Sequence, residues 1–275
     1  MPPTDLDSKY TIRQLKGWQE YQACVDLQRA VWGADFIDVV PASILKVSQR
    51  LGGVTAGAFD KSGLLVGFVF GITGVERGRI VHWSDMLGIR TEARDSGLGR
   101  KLKYYQRELL KPLGVATIYW TYDPLVSRNA YLNLMQFGVE MVEYVEDMYG
   151  PNTSSVLHAG IGSDRFIVGW HLDEELARKQ PKISVAPLNA PGVPIINDAL
   201  PKGSLPPLVR VAVPLHIDKV QAASLQDAAK WRASTRASFQ WAIANGYRVT
   251  GFQRDDANNR GLYEVTRGYT LDVGR

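Results

Sequence analysis

Arg94, Gly97, Gly99 and Arg100 fall close together in the stretch Ile89-Arg90-Thr91-Glu92-Ala93-Arg94-Asp95-Ser96-Gly97-Leu98-Gly99-Arg100. A strand pattern leads into this stretch and a helical pattern leaves it, with both glycines in the first helical turn. Glycine lets a bulky anion come close to the backbone. The first N–H groups of a helix have no internal partner, and the helix dipole favours negative charge there. A diphosphate is the natural occupant, and Arg94 and Arg100 can add charge-assisted hydrogen bonds. Two common phosphate motifs do not fit. The dinucleotide fingerprint G-x-G-x-x-G fails because Leu102 stands at the third glycine, and G-x-x-x-x-G-K-[ST] is absent. What remains is R-x-x-G-x-G: Arg94, Asp95, Ser96, Gly97, Leu98 and Gly99. The bland alternative is a glycine-bearing helix start with solvated arginines, and the flanking elements favour the anion site over it.

Composition narrows the chemistry. The 275 residues carry 45% hydrophobic and 22% charged side chains, ordinary globular material able to bury a core. The longest apolar run, Gly63 to Val75, is too short to span a bilayer. Met1 to Lys9 is polar and acidic, without the apolar centre of a signal peptide, and Cys24 is the only cysteine. The expectations are no disulfide, no membrane and a cytoplasmic location. The net charge of +4 suits an anionic ligand but is too diffuse for nucleic acid. His82, His158, His171 and His216 are scattered, with no HxxxH or CxxC, so no metal is expected. The sequence leaves the oligomeric state open.

The elements that must hold the motif follow from periodicity. Residues 10–15 read as a strand, Gly17–Trp32 as a helix with Trp18, Tyr21 and Val25 on one stripe, and Pro41–Leu51 as a second helix. Val54–Phe59, Leu64–Thr73 and Arg79–Ile89 read as strands. Their short links, Asp60–Gly63 and Gly74–Gly78, suit antiparallel hairpins. A helix starts near Gly97, with Leu98, Leu102, Tyr105 and Leu109 as its stripe, and ends at Pro112. Then come strand Ala116–Tyr122, helix Ser127–Phe137, and strands Val139–Met148 and Arg165–Leu172. Gln180–Pro207 holds seven prolines and reads as an extended connector or surface wrap. Strand Leu208–Leu215, helix Ser224–Asn245 and strands Arg248–Gln253 and Leu262–Thr266 complete the chain. The expected domains are 1–175, a Pro-rich connector over 176–207, and a small α/β unit over 208–275.

The motif Arg94-Asp95-Ser96-Gly97-Leu98-Gly99 between a fourth strand and third helix resembles the GNAT superfamily of acyl-CoA-dependent N-acetyltransferases. So does the continuation through Thr117–Tyr122 and Ser127-Arg128-Asn129-Ala130 to Phe137-Gly138, and the order of elements over about the first 170 residues. The wider pattern is similar to a branch of GNAT proteins with a C-terminal extension. Departures are Thr91, where members often have proline, and Leu134, where many carry the tyrosine that serves as general acid. The resemblance implies a mixed, mostly antiparallel sheet flanked by helices, whose fourth and fifth strands splay to admit the cofactor's arm. It implies acetyl-CoA as co-substrate, with no metal, and acetyl transfer to an amine of a small molecule or peptide. It places the thioester near Leu87, Gly88 and Ile89. The other class of function is an acyl-CoA-binding sensor or assembly module without efficient turnover, which Leu134 motivates.

Further candidates are weighed against bland readings. Asp85 shares strand parity with Trp83, Leu87 and Ile89. It is either a base that frees the attacking amine or a hydrogen-bonded structural carboxylate; His82, on the opposite face, reads as structural. Asn129, Asn133 and Gln136 share a helix stripe, either solvated or turned to the amides of the cofactor's arm, with Asn129 and Asn133 favoured by the resemblance. Tyr122 and Asp123 end the fifth strand and are catalytic candidates. Tyr131 reads as packing, and Cys24 as a small buried apolar residue.

On the last long helix, Leu225, Ala229, Arg232, Arg236, Phe239 and Ile243 fall in one stripe about 80° wide. Two buried guanidinium groups need anions. These are either a carboxylate across the domain interface, with Asp218 or Glu264 as local candidates, or a carboxylate or phosphate of the acceptor substrate at the mouth of the first domain's cleft. Residues 208–275 also read as a degenerate second copy of the family's C-terminal half, because Ala242-Ile243-Ala244-Asn245-Gly246-Tyr247 resembles Met135-Gln136-Phe137-Gly138.

Overall fold

Alternating and apolar runs over the first hundred residues become an antiparallel meander. The computed structural model describes residues 9–150, 160–180, 183–197, 199–203 and 205–268. Met1–Ser8, His158 and Pro181 lie outside the described residues. Strand β1 (Thr11–Gln14) pairs with β2 (Val54–Phe59), β2 with β3 (Leu65–Glu76), and β3 with β4 (Arg79–Ile89), all antiparallel. The β3–β4 hairpin is tighter than the sequence suggests. Only Arg77 and Gly78 turn it, both at positive φ (49° and 76°), as a two-residue hairpin turn of the type favoured by strand twist requires. Strand β5 (Thr117–Tyr122) runs parallel to β4. A parallel pair needs a crossover, which α3 (Leu98–Leu110) supplies. The architecture is mixed α/β: a seven-stranded, mostly antiparallel sheet flanked by helices, and a second sheet of three strands.

The chain forms two compact units, one reaching to Trp120 with His171–Asp173, the other comprising residues 121–170 and 174 onward. These bounds do not coincide with the division at 175 and 208 expected from sequence. The C-terminal strands and helices group with residues 121–170.

In the first unit, α1 (Gly17–Trp32) and α2 (Ala42–Arg50) close over β2 and β3. Leu15, Tyr21, Cys24, Leu27, Leu45, Phe68 and Phe70 form the core. Burial pushes the Cys24 thiol up to about 12, so it behaves as the small apolar residue expected. Trp18 departs from its stripe and is 57% exposed. The buried face of α3 is Leu98, Leu102, Lys103, Gln106 and Leu110, so two polar side chains occupy the place where Tyr105 and Leu109 were expected.

In the second unit, the helix expected over 127–137 is a short α-turn, α4 (Ser127–Ala130), continued as a π-turn over Tyr131–Gln136. Tyr131, read as packing, is exposed. Strands β6 (Glu140–Val145) and β7 (Arg165–His171) pair antiparallel, and the short helix α5 (Glu174–Lys179) follows. Strand β8 (Leu208–Pro214), helices α6 (Ile217–Ala223) and α7 (Leu225–Ala244), and strands β9 (Tyr247–Asp255) and β10 (Arg260–Arg267) complete the unit. Strand β10 lies between β8 and β9, antiparallel to both.

Edge-to-face contacts among Tyr122, Phe166, Phe239 and Tyr263 build this unit's core. The proline-rich stretch is held down as a wrap. The buried Arg210 side chain bonds the carbonyls of Ala186, Pro187 and Leu188 and pairs with Glu264 at 2.9 Å, while its backbone bridges Ile195. No helix among the described residues is long and apolar enough to cross a membrane.

Candidate functional site

The motif residues form a loop that turns twice before a helix begins. Thr91–Ala93 make a single 3-10 turn. Asp95 and Gly97 then take φ of 58° and 75°, and α3 starts at Leu98. The left-handed conformation at Gly97 is costly for a residue with a Cβ, which is why glycine caps this helix. A Cβ at Gly99 would meet only Leu87, at 3.5 Å, so both glycines leave the space above the helix start open. No side chain caps the helix, its first turn holds no acidic residue, and its first backbone bond runs from Lys101 to Gly97 at 3.1 Å. The preceding amides therefore have no acceptor inside the helix and can receive an anion. Arg94 and Arg100 are exposed beside them, with Arg94 Nε 3.4 Å from the Ile89 carbonyl.

The strand leading into the loop is broken twice. Ile72 pairs with Trp83 and Phe70 with Met86, so Ser84 and Asp85 together oppose Gly71: a β-bulge. Gly71 has no room for a side chain, because a Cβ would lie 2.2 Å from His82 Nε2 and 2.5 Å from the Trp83 carbonyl. On the other side, β4 pairs with β5 only from Val81 to Trp83, against Thr117 to Tyr119. From Ser84 onward the two strands part, and the stretch with Leu87, Gly88 and Ile89 has backbone groups that no β5 partner takes up.

The bulge corrects the parity assigned to Asp85, because strict alternation ends at Trp83. Asp85 is exposed, yet desolvation by the surrounding protein raises its pKa, a hydrogen bond with Trp83 opposes this, and Asp38 adds repulsion. His82 is buried, with Nδ1 2.9 Å from Thr73 Oγ1 and Nε2 3.0 Å from Gln106 Nε2. Burial, aided by the charge of Lys103, lowers it to about 3, so it is neutral and structural, as its strand position suggests.

Sequence reasoning missed Lys103. Its Nζ donates to Ser84 Oγ at 2.8 Å and lies 3.8 Å from the centre of the Trp120 ring, with the side chain 4% exposed. The signal was a lysine one residue beyond Leu102, within reach of the buried stripe of an amphipathic helix.

The remaining candidates lie in the second unit. Asp123, a catalytic candidate, is a buried structural carboxylate. Arg232 grips it through Nη1 at 3.0 Å and Nη2 at 2.6 Å, and its Oδ1 also accepts from the Leu125 amide. Arg236 meets Asp164 at 2.5 Å, with Glu146 and Asp147 close by. Arg232 is engaged in an interior pair, whereas Arg236, expected to be buried, is 24% exposed and engaged by a partly solvated carboxylate cluster, and neither has Asp218 or Glu264 as partner. The buried stripe of α7 is Ala228, Arg232, Thr235, Ser238, Phe239 and Ala242, while Leu225 and Ile243 are exposed. Tyr122 is buried edge-on against Phe166, and burial raises its pKa, so it stays protonated and walled in at any working pH. Asn129 is half-buried and Asn133 buried, and Gln136 is exposed. Leu134 is buried. No cluster of three or more His, Cys, Asp or Glu able to hold a metal occurs among the described residues.

No model of a known family and no curated protein matches the chain. Solved structures similar to it include a ribosomal-protein-alanine N-acetyltransferase from Brucella melitensis (16% identity, 59% of this chain, 99% of that one, TM-score 0.46). They also include the GNAT family N-acetyltransferase YhbS from Escherichia coli in complex with CoA (19%, 63%, 87%, 0.42). A third is Naa50 from Arabidopsis thaliana in complex with the bisubstrate analogue CoA-Ac-MVNAL (14%, 59%, 98%, 0.44). The element order, the β4 and β5 strands that part, and the glycine-opened start of α3 are this chain's own features, read without those structures.

Proposed function

We propose that the chain binds acetyl-CoA and transfers the acetyl group to an amine of a small molecule or peptide. One observation carries this: the uncapped, glycine-opened start of α3 follows directly on a strand edge that β5 leaves unpaired beyond Trp83. An anion-binding helix start beside a strand edge that has no β5 partner suits a ligand with a diphosphate at one end and an amide-bearing arm at the other. Arg94, Asp95, Ser96, Gly97, Leu98, Gly99 and Arg100 would hold the diphosphate. Leu87, Gly88 and Ile89 would offer amides to the arm and to the oxyanion that develops on the thioester. The resemblance adds Asn129 and Asn133 for the arm's amides.

Asp85 is the base in this reading. Desolvation raises its pKa, which makes the ionised carboxylate a better proton acceptor. The acceptor nitrogen attacks the thioester carbon, and holding the two together does much of the work. A second reading, an acyl-CoA-binding module without turnover, is favoured by Leu134, a buried residue with no proton to give. Release of CoA from acetyl-CoA in the presence of a panel of amines and peptides separates the two. Turnover that depends on an amine supports the enzyme, and binding without turnover supports the module.

A further inference from the structure

Lys103 is a buried amine that the proposed reaction does not yet use. Leucine or methionine would fill the same space on α3 without a charge to desolvate. No carboxylate among the described residues pairs with Lys103. Its two polar contacts are placed in a particular way. The β4–β5 ladder ends at Trp83 and Tyr119, and Lys103 touches the next residue on each strand, Ser84 and Trp120. The amine therefore sits at the fork where the strands part, bonded to the first residue of the bulge.

We propose that Lys103, acting through the Ser84 hydroxyl, delivers the proton to the sulfur of CoA as it leaves. The role rests on the acyl-transfer reading above. As the acceptor nitrogen bonds to the acyl carbon, the carbon–sulfur bond breaks and its electron pair goes to sulfur. Ser84 gives its proton to sulfur and takes one from the Lys103 ammonium. Lys103 is left neutral and regains a proton from water. The acceptor nitrogen's proton goes to Asp85 or water, so the ledger of protons closes.

Desolvation lowers the pKa of the Lys103 ammonium, making it more acidic than an ordinary lysine. His82 of β4 is electrostatically coupled to Lys103; the other titratable or charged side chains on the packed elements are Glu76 of β3, Arg79 and Asp85 of β4, Tyr119 and Tyr122 of β5, and Arg100, Lys101, Tyr104, Tyr105, Arg107 and Glu108 of α3 itself. His82 stays neutral, and Tyr119, raised by burial, stays protonated.

The test uses the full chain with acetyl-CoA and a mixture of primary amines and free-N-terminus peptides, following released thiol over a range of pH. Variants are Lys103→Met, Lys103→Arg and Ser84→Ala, and CoA affinity is measured for each. Wild-type kcat falls as pH rises through the Lys103 pKa. Lys103→Met lowers kcat about 100-fold or more and removes that alkaline limb, with CoA affinity within about twofold and the melting temperature unchanged or higher. Lys103→Arg is equally slow, because a guanidinium does not release its proton. Ser84→Ala is slowed without loss of affinity.

Retention of kcat and of the alkaline limb in Lys103→Met overturns the inference in favour of packing. Rescue by Lys103→Arg overturns it in favour of a fixed positive charge. Acetylation of Lys103 itself, found by peptide mass mapping after incubation with acetyl-CoA alone, makes it an acceptor instead. A wild type that binds acetyl-CoA but releases no thiol overturns the acyl-transfer reading and this role with it, an outcome recognised before any variant is made.

Discussion

Arg232 on α7 holds Asp123, at the end of β5, through two hydrogen bonds of 3.0 and 2.6 Å between residues 109 apart in sequence. Both side chains are at most 5% exposed. The pair fixes the C-terminal helix to the chain that follows β5, and it leaves the Arg232 fork no free edge for an acceptor. Arg232→Met removes the two-bonded partner of Asp123 and leaves it the Arg165 guanidinium 3.8 Å away, at a cost of up to about 3–5 kcal/mol of unfolding free energy. Urea midpoints measure this. The double change Arg232→Met with Asp123→Leu restores part of the loss, because it removes both charges of the pair but also takes Asp123 from the buried Arg165. A single variant as stable as wild type would show that Asp123 has other means of compensation.

Asp85→Asn is expected to lower kcat while leaving CoA affinity nearly unchanged. In the wild type, activity is lost as pH falls through the raised Asp85 pKa, since the base must be ionised. The stability effect has the opposite sense. Folding raises this pKa, so ionising Asp85 weakens the fold as pH rises through that range, and the asparagine variant is at least as stable at neutral pH. Loss of CoA binding or of fold in Asp85→Asn would make the carboxylate structural.

Cys24 is fully buried and its thiol is pushed up to about 12, so the native chain should not react with a disulfide reagent at pH 8. Denaturation should expose one thiol per chain, the number of cysteines in the sequence. Fast reaction of the native chain would contradict the packing described for α1.

The C-terminal strands offer a test of stoichiometry. Strand, helix, strand, strand, with the last strand between the other two, occurs as β5-α4-β6-β7 and again as β8-α7-β9-β10. This supports reading residues 208–275 as a second copy of a half-fold. The second copy has no R-x-x-G-x-G, so calorimetry should find one CoA per chain. Two equivalent sites would refute the assignment of binding to the motif.

Much of this was legible from glycine, proline and periodicity. The bounds Gly17–Trp32, Val54–Phe59 and Arg79–Ile89 are those read from sequence. The misses have physical causes. The bulge at Ser84–Asp85 is a matter of register against Gly71, and alternation along one strand cannot reveal it. The π-turn at Tyr131–Gln136 depends on backbone bonding that side-chain types do not encode. Helix α6 buries no residue, so it leaves no periodic trace. Lys103 and Gln106 were hidden because a stripe drawn from apolar residues passes over polar ones that share the face. The arginines of α7 were visible as an anomaly, but their partners were sought nearby in sequence, whereas Asp123 and Asp164 are distant and brought close only by folding.

The central claim is that the loop from Arg94 to Arg100 and the start of α3 bind the diphosphate of CoA. Titration of the full chain with acetyl-CoA, followed by melting temperature, tests it most directly. Stabilisation grows as RT ln(1 + [L]/Kd), so a ligand at about 100 times Kd adds about 2.7 kcal/mol. Gly97→Trp should abolish the shift, though its left-handed φ of 75° also strains the variant. Gly99→Phe should abolish it without that strain, because a Cβ there meets only Leu87 at ordinary contact distance. A shift in the wild type that disappears in Gly99→Phe, with the unliganded melting temperature kept, is the predicted result. An unchanged melting temperature across the wild-type titration, or a full shift retained in Gly99→Phe, would contradict the account.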